Sequence, residues 1–222
     1  MNLTIINGSP RGEESNTRIL LDHFAKGFLK AAPDNHIEIH YLGRSSIMAN
    51  PLEAFNNAEY CLIGFPLYTD AMPGSVKYFI EQLKDSQGKK LLFFIQGGFP
   101  EAVHYVVIKQ YVERLTQRLG ADYLGTIIKG GVEGIKDKPL IWTRKLRNRF
   151  YRLGYRFGKN GKLDERLLQK LSQPHKMGNF KAEIMIKLNR TGLFNLYWNH
   201  YLKKNNAFDK RFDQPYQKTR TE

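Results

Sequence analysis

The sequence predicts an α/β fold: a five-stranded, doubly wound parallel sheet in a three-layer αβα arrangement, followed by a basic, mainly helical C-terminal extension. Two observations carry the sheet. Short apolar runs alternate with segments of helical period through about residue 131, and most of those runs are unbroken, as in strands covered on both faces. A third observation carries the extension. Residues 1–135 hold 13 Lys/Arg against 14 Asp/Glu, whereas residues 136–222 hold 22 against 7.

The elements follow in order. "LTII" at 3–6 is the first strand, and Leu20, Leu21, Phe24 and Phe28 place one apolar stripe on the helix after it. "IEIHYL" at 37–42 alternates like a strand nearer an edge, and Leu52, Phe55 and Ala58 mark a weak helix from Pro51. "YCLIGF" at 60–65 is the third strand, with Val76, Phe79, Ile80 and Leu83 on the next helix. "KKLLFFIQ" is the fourth strand, Val103, Val107, Tyr111 and Leu115 form the stripe of the helix behind it, and "ADYLGTIIKGG" supplies the last strand. The domain is expected over 1–138 and the extension over 139–222.

Composition excludes several classes. A single cysteine, Cys61, rules out an internal disulfide and a thiolate cluster, and in its apolar run it reads as a small core residue. No apolar run is long enough to span a bilayer, and the N-terminus has no basic region followed by an apolar one, so a cytoplasmic location is expected. His36 and His40 are four apart on a predicted strand, about 13 Å from one another, which argues against a metal pair. No metal site is expected.

In a doubly wound sheet a ligand sits at the carboxyl ends of the strands, where the strand order reverses. Three loops are therefore informative. "NGSPRGEESNT" follows the first strand, with Gly8 and Gly12 for tight turns, hydroxyls at Ser9, Ser15 and Thr17, the Arg11 fork, and a helix N-terminus near Thr17. That is the chemistry of a phosphate cradle, although the loop matches neither the P-loop nor the dinucleotide fingerprint. An ordinary strand-to-helix loop capped by Ser15 or Asn16 is an equal reading of this stretch alone, and Glu13 and Glu14 oppose an anion unless they turn to solvent. "FPLYTDAMPGSVKYF" follows the third strand, where Tyr68 and Met72 offer polarisable surface to a flat ring. "IQGGFPEA" follows the fourth, where paired glycines allow close approach of backbone N–H groups.

These three stretches together resemble the NAD(P)H-dependent FMN reductase family, flavodoxin-like proteins that include quinone, azo-dye and nitro-group reductases. "NGSPRGEESNT" is similar to that family's N-G-S-P-R-x(n)-S-N-T loop, "GFPLYTDAMPGSVKYFIEQL" to its P-L-Y segment, and "QGGFPE" to its third loop. The resemblance covers roughly residues 1–131. It implies a flavodoxin-like strand order, with the switch point between the first and third strands. It implies that Ser9, Arg11, Ser15, Asn16 and Thr17 hold the FMN phosphate, that Pro66, Leu67, Tyr68 and Thr69 flank the isoalloxazine, and that Gly97, Gly98 and Phe99 lie near its pyrimidine end. It also implies NADPH or NADH as co-substrate, a small acceptor such as a quinone, flavin, azo or nitro compound, a ping-pong cycle, and a homodimer. No catalytic acid or base is expected, because the chemistry belongs to the cofactor. The iron–sulfur branch of the family is excluded by the single cysteine.

The extension opens with "LIWTRKLRNRFYRLGYRFGKN", a basic amphipathic helix with Trp142, Leu146, Phe150, Leu153 and Phe157 on one stripe. The stripe either packs on the sheet domain or a dimer partner, or lies on an anionic surface, membrane or polyanion. Gly154 and Gly158 would weaken it as a free helix. "LFNLYWNHYLKK" at 193–204 is apolar enough to need a partner surface, and the polar last stretch from Asp209 is expected to fray. Two further readings stand beside the reductase: a flavodoxin-like electron carrier or flavin-binding interaction module that docks through the extension, and a degenerate fold that has lost flavin and binds anionic surfaces.

Overall fold

The computed structural model describes residues 1–43, 49–83, 86–176 and 178–214. The chain divides into two compact units, Met1–Lys176 and Met177–Glu222. The expected boundary after residue 138 falls inside the first unit, immediately before its longest helix.

Five parallel strands, β1 (Asn2–Asn7), β2 (His36–Tyr41), β3 (Tyr60–Pro66), β4 (Lys90–Gln96) and β5 (Asp122–Lys129), form one sheet in the order β2-β1-β3-β4-β5. The helices between them are α1 (Asn16–Ala31), α2 (Ala49–Asn57), α3 (Gly74–Glu81) and α4 (Val106–Arg118), and α5 (Leu140–Asn160) and α6 (Glu165–Leu171) follow β5. Alternate residues of each central strand feed opposite cores, as the two-residue period requires. Leu3, Ile5, Leu62, Leu92 and Phe94 pack with α1, α5 and α6. Ile6, Ile63, Phe65, Phe93 and Ile95 pack with α2, α3 and α4. This is the three-layer, flavodoxin-like architecture expected.

Helix α5 is thus the second helix of one layer. Its buried face carries Phe150, Leu153 and Phe157, each fully buried, and burying a large apolar side chain contributes about 1.5–3 kcal/mol. Phe157 lies 5.9 Å from Phe24, 6.0 Å from Phe28 and 5.8 Å from Tyr60 between ring centroids. The charged residues fill the other side. Gly27 and Gly154 let the backbones of α1 and α5 touch: a Cβ on Gly27 would overlap the Tyr151 carbonyl, and one on Gly154 the Phe24 carbonyl. Buried Asn35 clamps the seam, its amide nitrogen donating to the carbonyls of Phe28 on α1 (2.8 Å) and Gly158 on α5 (3.1 Å). The glycine that weakens a free helix here permits the packing that holds this one.

Of the apolar stripe expected on α4, only Leu115 packs against the core. Ile108 and Val112 face the sheet, while Val107 is 70% exposed and Tyr111 also stands in solvent. Trp142, expected on the α5 stripe, is exposed as well, because that helix's core contacts begin one turn later.

The second unit contains α7 (Asn179–Arg190) and α8 (Leu193–Lys204), joined through Gly192 in the left-handed region. On α8 the rings of Tyr197 and Trp198 meet at 5.5 Å, and Leu196 and Trp198 remain exposed. Residues 215–222, the greater part of the stretch expected to fray, lie outside the described residues.

Candidate functional site

Strands β1, β3 and β4 are neighbours, so the loops after Asn7, Pro66 and Gln96 meet at one sheet edge. The first loop is organised by a residue the motif reading passed over. Asn7, the last residue of β1, is fully buried. Its Nδ2 donates to the Gly12 carbonyl and to Ser15 Oγ, both at 3.1 Å, and its Oδ1 accepts from the Ser9 N–H at 3.1 Å. One amide therefore ties both ends of the loop to the strand. Gly8 donates to the Gly64 carbonyl at 2.7 Å, and a Cβ at that position would overlap Val76, so the loop lies flat against β3 and α3.

Ser15 is the N-cap of α1. Its Oγ accepts from the Arg18 N–H at 3.1 Å and donates to the Gly12 carbonyl at 2.6 Å. With the amide of Asn7 also on it, this hydroxyl is fully partnered. Thr17 is buried and its Oγ1 accepts from Gln96 Nε2 at 3.2 Å, joining the first loop to the end of β4. What the loop leaves available are donors. Among the described residues, the N–H groups of Asn16 and Thr17 in the first turn of α1 have no acceptor, and the exposed Arg11 guanidinium has no partner. Ser9 is buried, its Oγ accepting from the Arg11 N–H at 3.4 Å. Of the two acids in the loop, both exposed, Glu14 is paired with Lys136, which holds its carboxyl below the usual range.

The second loop is pinned by the Leu67 N–H, which donates to the Gln96 carbonyl at 2.7 Å. Tyr68 and Ala71 then exchange backbone hydrogen bonds at 3.0 Å around Thr69 (φ 48°) and Asp70 (φ 63°). A β-branched residue at positive φ is strained. The turn leaves the Tyr68 ring half in solvent, with Thr69 at the tip. In the third loop the Gly97 N–H donates to the Lys129 carbonyl at 3.4 Å, while the Gly98 N–H has no acceptor among the described residues. The Phe99 carbonyl accepts from Tyr105 Oη at 3.0 Å and from the Gly131 N–H at 3.1 Å. Burial pushes the Tyr105 phenol up to about 12, so it remains a donor. The Phe99 ring turns outward onto His104, 4.8 Å away.

Between the loops lies a cleft of about 150 Å³ bordered by Ser9, Arg11, Asn16, Pro66, Leu67, Tyr68, Gly97 and Gly98. Ser15, Thr17, Thr69 and Phe99, the other residues expected at the site, do not border it. Gln96 and Glu133 do, and sequence reasoning named neither. Gln96 had a signal, as the polar end of an apolar strand. Glu133 had none.

A family model described as a flavodoxin-like fold matches residues 1–146. The chain belongs to that family. Solved structures of the flavodoxin-like kind agree in fold. An FMN-dependent NADH-azoreductase from Bacillus anthracis, in complex with FMN, is 14% identical, with a TM-score of 0.57 over 71% of this chain and 100% of the other. An NADH:FMN oxidoreductase in its apo form is 16% identical, with a TM-score of 0.56 over 78% and 96%. An NAD(P)H:quinone oxidoreductase from Methanothermobacter marburgensis is 16% identical, with a TM-score of 0.51 over 72% and 96%. No curated protein matches the chain.

The family match runs through the first turns of α5, in keeping with that helix being part of the flavodoxin-like unit. At its ligand edge the donor set suits a phosphate: a free guanidinium, a buried serine and two unpartnered N–H groups at the N-terminus of a long helix. Beside it, Pro66, Leu67 and Tyr68 offer an apolar and aromatic wall to a planar ring, and the Gly98 N–H offers one donor to that ring's polar edge.

Proposed function

We propose that the chain is an FMN-dependent NAD(P)H oxidoreductase that reduces a small acceptor, a quinone, flavin, azo or nitro compound, by a ping-pong cycle. The observation that carries this reading is the convergence of unpartnered donors and an aromatic wall at one sheet edge, where a flavodoxin-like fold takes its ligand. The similar structures with FMN, NADH and quinone in their names support it. FMN, when bound, supplies the hydride and electron chemistry.

The residues of the chain bind and orient. Arg11, Ser9 and the N–H groups of Asn16 and Thr17 hold the phosphate, with Asn16 bordering it from α1. Ser15 and Asn7 fix the loop that presents these donors, and Gln96 holds Thr17 in place. Pro66, Leu67 and Tyr68 take one side of the ring, and Thr69 and Asp70 hold Tyr68 there. Of the paired glycines, Gly98 offers its N–H to charge at the pyrimidine end, while Gly97 faces the Lys129 carbonyl. Phe99 stands at the rim with His104, where a nicotinamide and then an acceptor enter. The chain acts as a homodimer, and the exposed apolar side chains of Val107 and Tyr111 on α4, with Val103 just before that helix, support that partnership.

An absorption spectrum of the purified protein tests the reading. The protein should be yellow, or become so with added FMN, and bleach with NADPH or NADH. Steady oxidation of the nicotinamide with a quinone then separates a reductase from an electron carrier, which would turn over almost none. Protein that ignores FMN would refute the proposal.

A further inference from the structure

The face formed by α1 and α5 carries a second surface, separate from the cleft. Over its 21 residues α5 contains Arg144, Lys145, Arg147, Arg149, Arg152, Arg156 and Lys159 and no Asp or Glu. Arg156 is paired with Asp164, Arg149 donates to the Lys170 carbonyl, and Arg147 reaches Thr143 and His23. Among the described residues Arg144, Lys145 and Arg152 have no partner, and all three are exposed. His23 is held below its usual value by burial and then by the charges of Arg147 and Lys26.

The same helix opens with three consecutive large apolar side chains in solvent, Leu140 at 70%, Ile141 at 77% and Trp142 at 76%. A groove of about 630 Å³ joins the two features, lined by Leu140, Ile141, Arg144, Arg147 and Tyr151 of α5 and by His23 of α1. A nucleic acid would engage the cations and leave the apolar triplet without use. A second copy of this face would meet like charge. A bilayer with anionic headgroups satisfies both, taking apolar and tryptophan side chains into its interface and phosphates onto the cations. Among the described residues no helix is long and apolar enough to cross a membrane, so contact is at the surface.

We propose that this face docks on an anionic phospholipid membrane, with Leu140, Ile141 and Trp142 entering the interface and Arg144, Lys145 and Arg147 holding lipid phosphates. The chain leaves β5 at Lys129 and borders the cleft at Glu133 before entering α5 at Leu140. The docking end of α5 therefore lies at the same sheet edge as the cleft. The acceptor class that fits is a quinone dissolved in the lipid, and this clause rests on the oxidoreductase reading; the docking does not.

The test is sedimentation of the full chain with vesicles of phosphatidylcholine alone or mixed with phosphatidylglycerol. Binding is expected only to the mixed vesicles. It should weaken roughly 30-fold in the double variant Arg144→Gln, Lys145→Gln and be lost in the triple variant Leu140→Ser, Ile141→Ser, Trp142→Ser, with unchanged circular dichroism because these side chains are exposed. In a Trp198→Phe background the emission of Trp142 should shift to the blue on binding. Equal binding to neutral vesicles, no binding to either, binding that survives both variants, or salt-sensitive capture of duplex DNA without capture of vesicles would each overturn the proposal. Reduction of a quinone carried in the vesicles should fall in the triple variant while reduction of a water-soluble quinone is unchanged. A protein that sediments with vesicles yet takes up no FMN would refute the oxidoreductase reading and leave the docking intact.

Discussion

The sheet edge and the α1–α5 face use opposite means to present chemistry. At the edge, the donors are largely backbone N–H groups and one guanidinium, held by a buried amide and a helix cap, and one acid of the same loop, Glu14, is paired with Lys136. On the face, the donors are long cationic side chains mounted on a helix whose other side is core. The edge depends on the path of the chain, and the face on what the helix carries. Changes to the two should therefore separate cleanly.

The largest effect should come from the base of the face. Gly154→Leu puts a side chain into the Phe24 carbonyl and should cost about 3 kcal/mol or more, read as a fall in the urea midpoint, because α5 cannot move off α1 without opening the core. If stability survives, the seam is not what holds the layer. Next is Arg11→Ala, which removes a charge-assisted donor and should weaken FMN binding by roughly 10- to 100-fold with an unchanged thermal midpoint, measured by flavin fluorescence titration. Asn7→Ala should do both at lower amplitude: a stability loss of about 1–3 kcal/mol, since the Ser9 N–H and Ser15 Oγ lose a buried partner, together with weaker FMN binding. Were FMN affinity to hold, the loop would not need its tie. The smallest effect is Glu14→Gln, which should change FMN affinity by no more than about threefold in the same titration, since Lys136 already balances that charge.

Much of this was legible beforehand. The strands and the three loops follow from apolar runs and turn chemistry, the strand order that brings those loops to one edge is what the family resemblance implies, and most of the residues named from the loops border the cleft. The hydrogen-bond partners of Asn7 and Gln96 were not legible, even though Gln96 stands out as the polar end of an apolar strand, because a buried side-chain amide reveals its partners only after folding. The stripe on α4 was misassigned for a different reason. Two apolar rows run along that helix, and only the position of the sheet decides that Ile108 and Val112 go inward. In α5 the stripe of Leu146, Phe150, Leu153 and Phe157 allowed packing on the sheet domain, on a partner or on an anionic surface, and only the fold decides for the sheet domain. Gly154 was read by its helix propensity, whereas its role depends on Phe24, more than a hundred residues earlier in the chain.

The seam of Gly27 and Gly154 also sets how the cations above it are offered. Backbone against backbone leaves α5 little room to roll or tilt, so the spacing along Arg144, Lys145 and Arg152 is settled before any partner arrives. The helix itself then has little order left to lose on contact. Such an array responds to the density of charge on whatever it meets, as a ruler responds to length, and is indifferent to that partner's sequence.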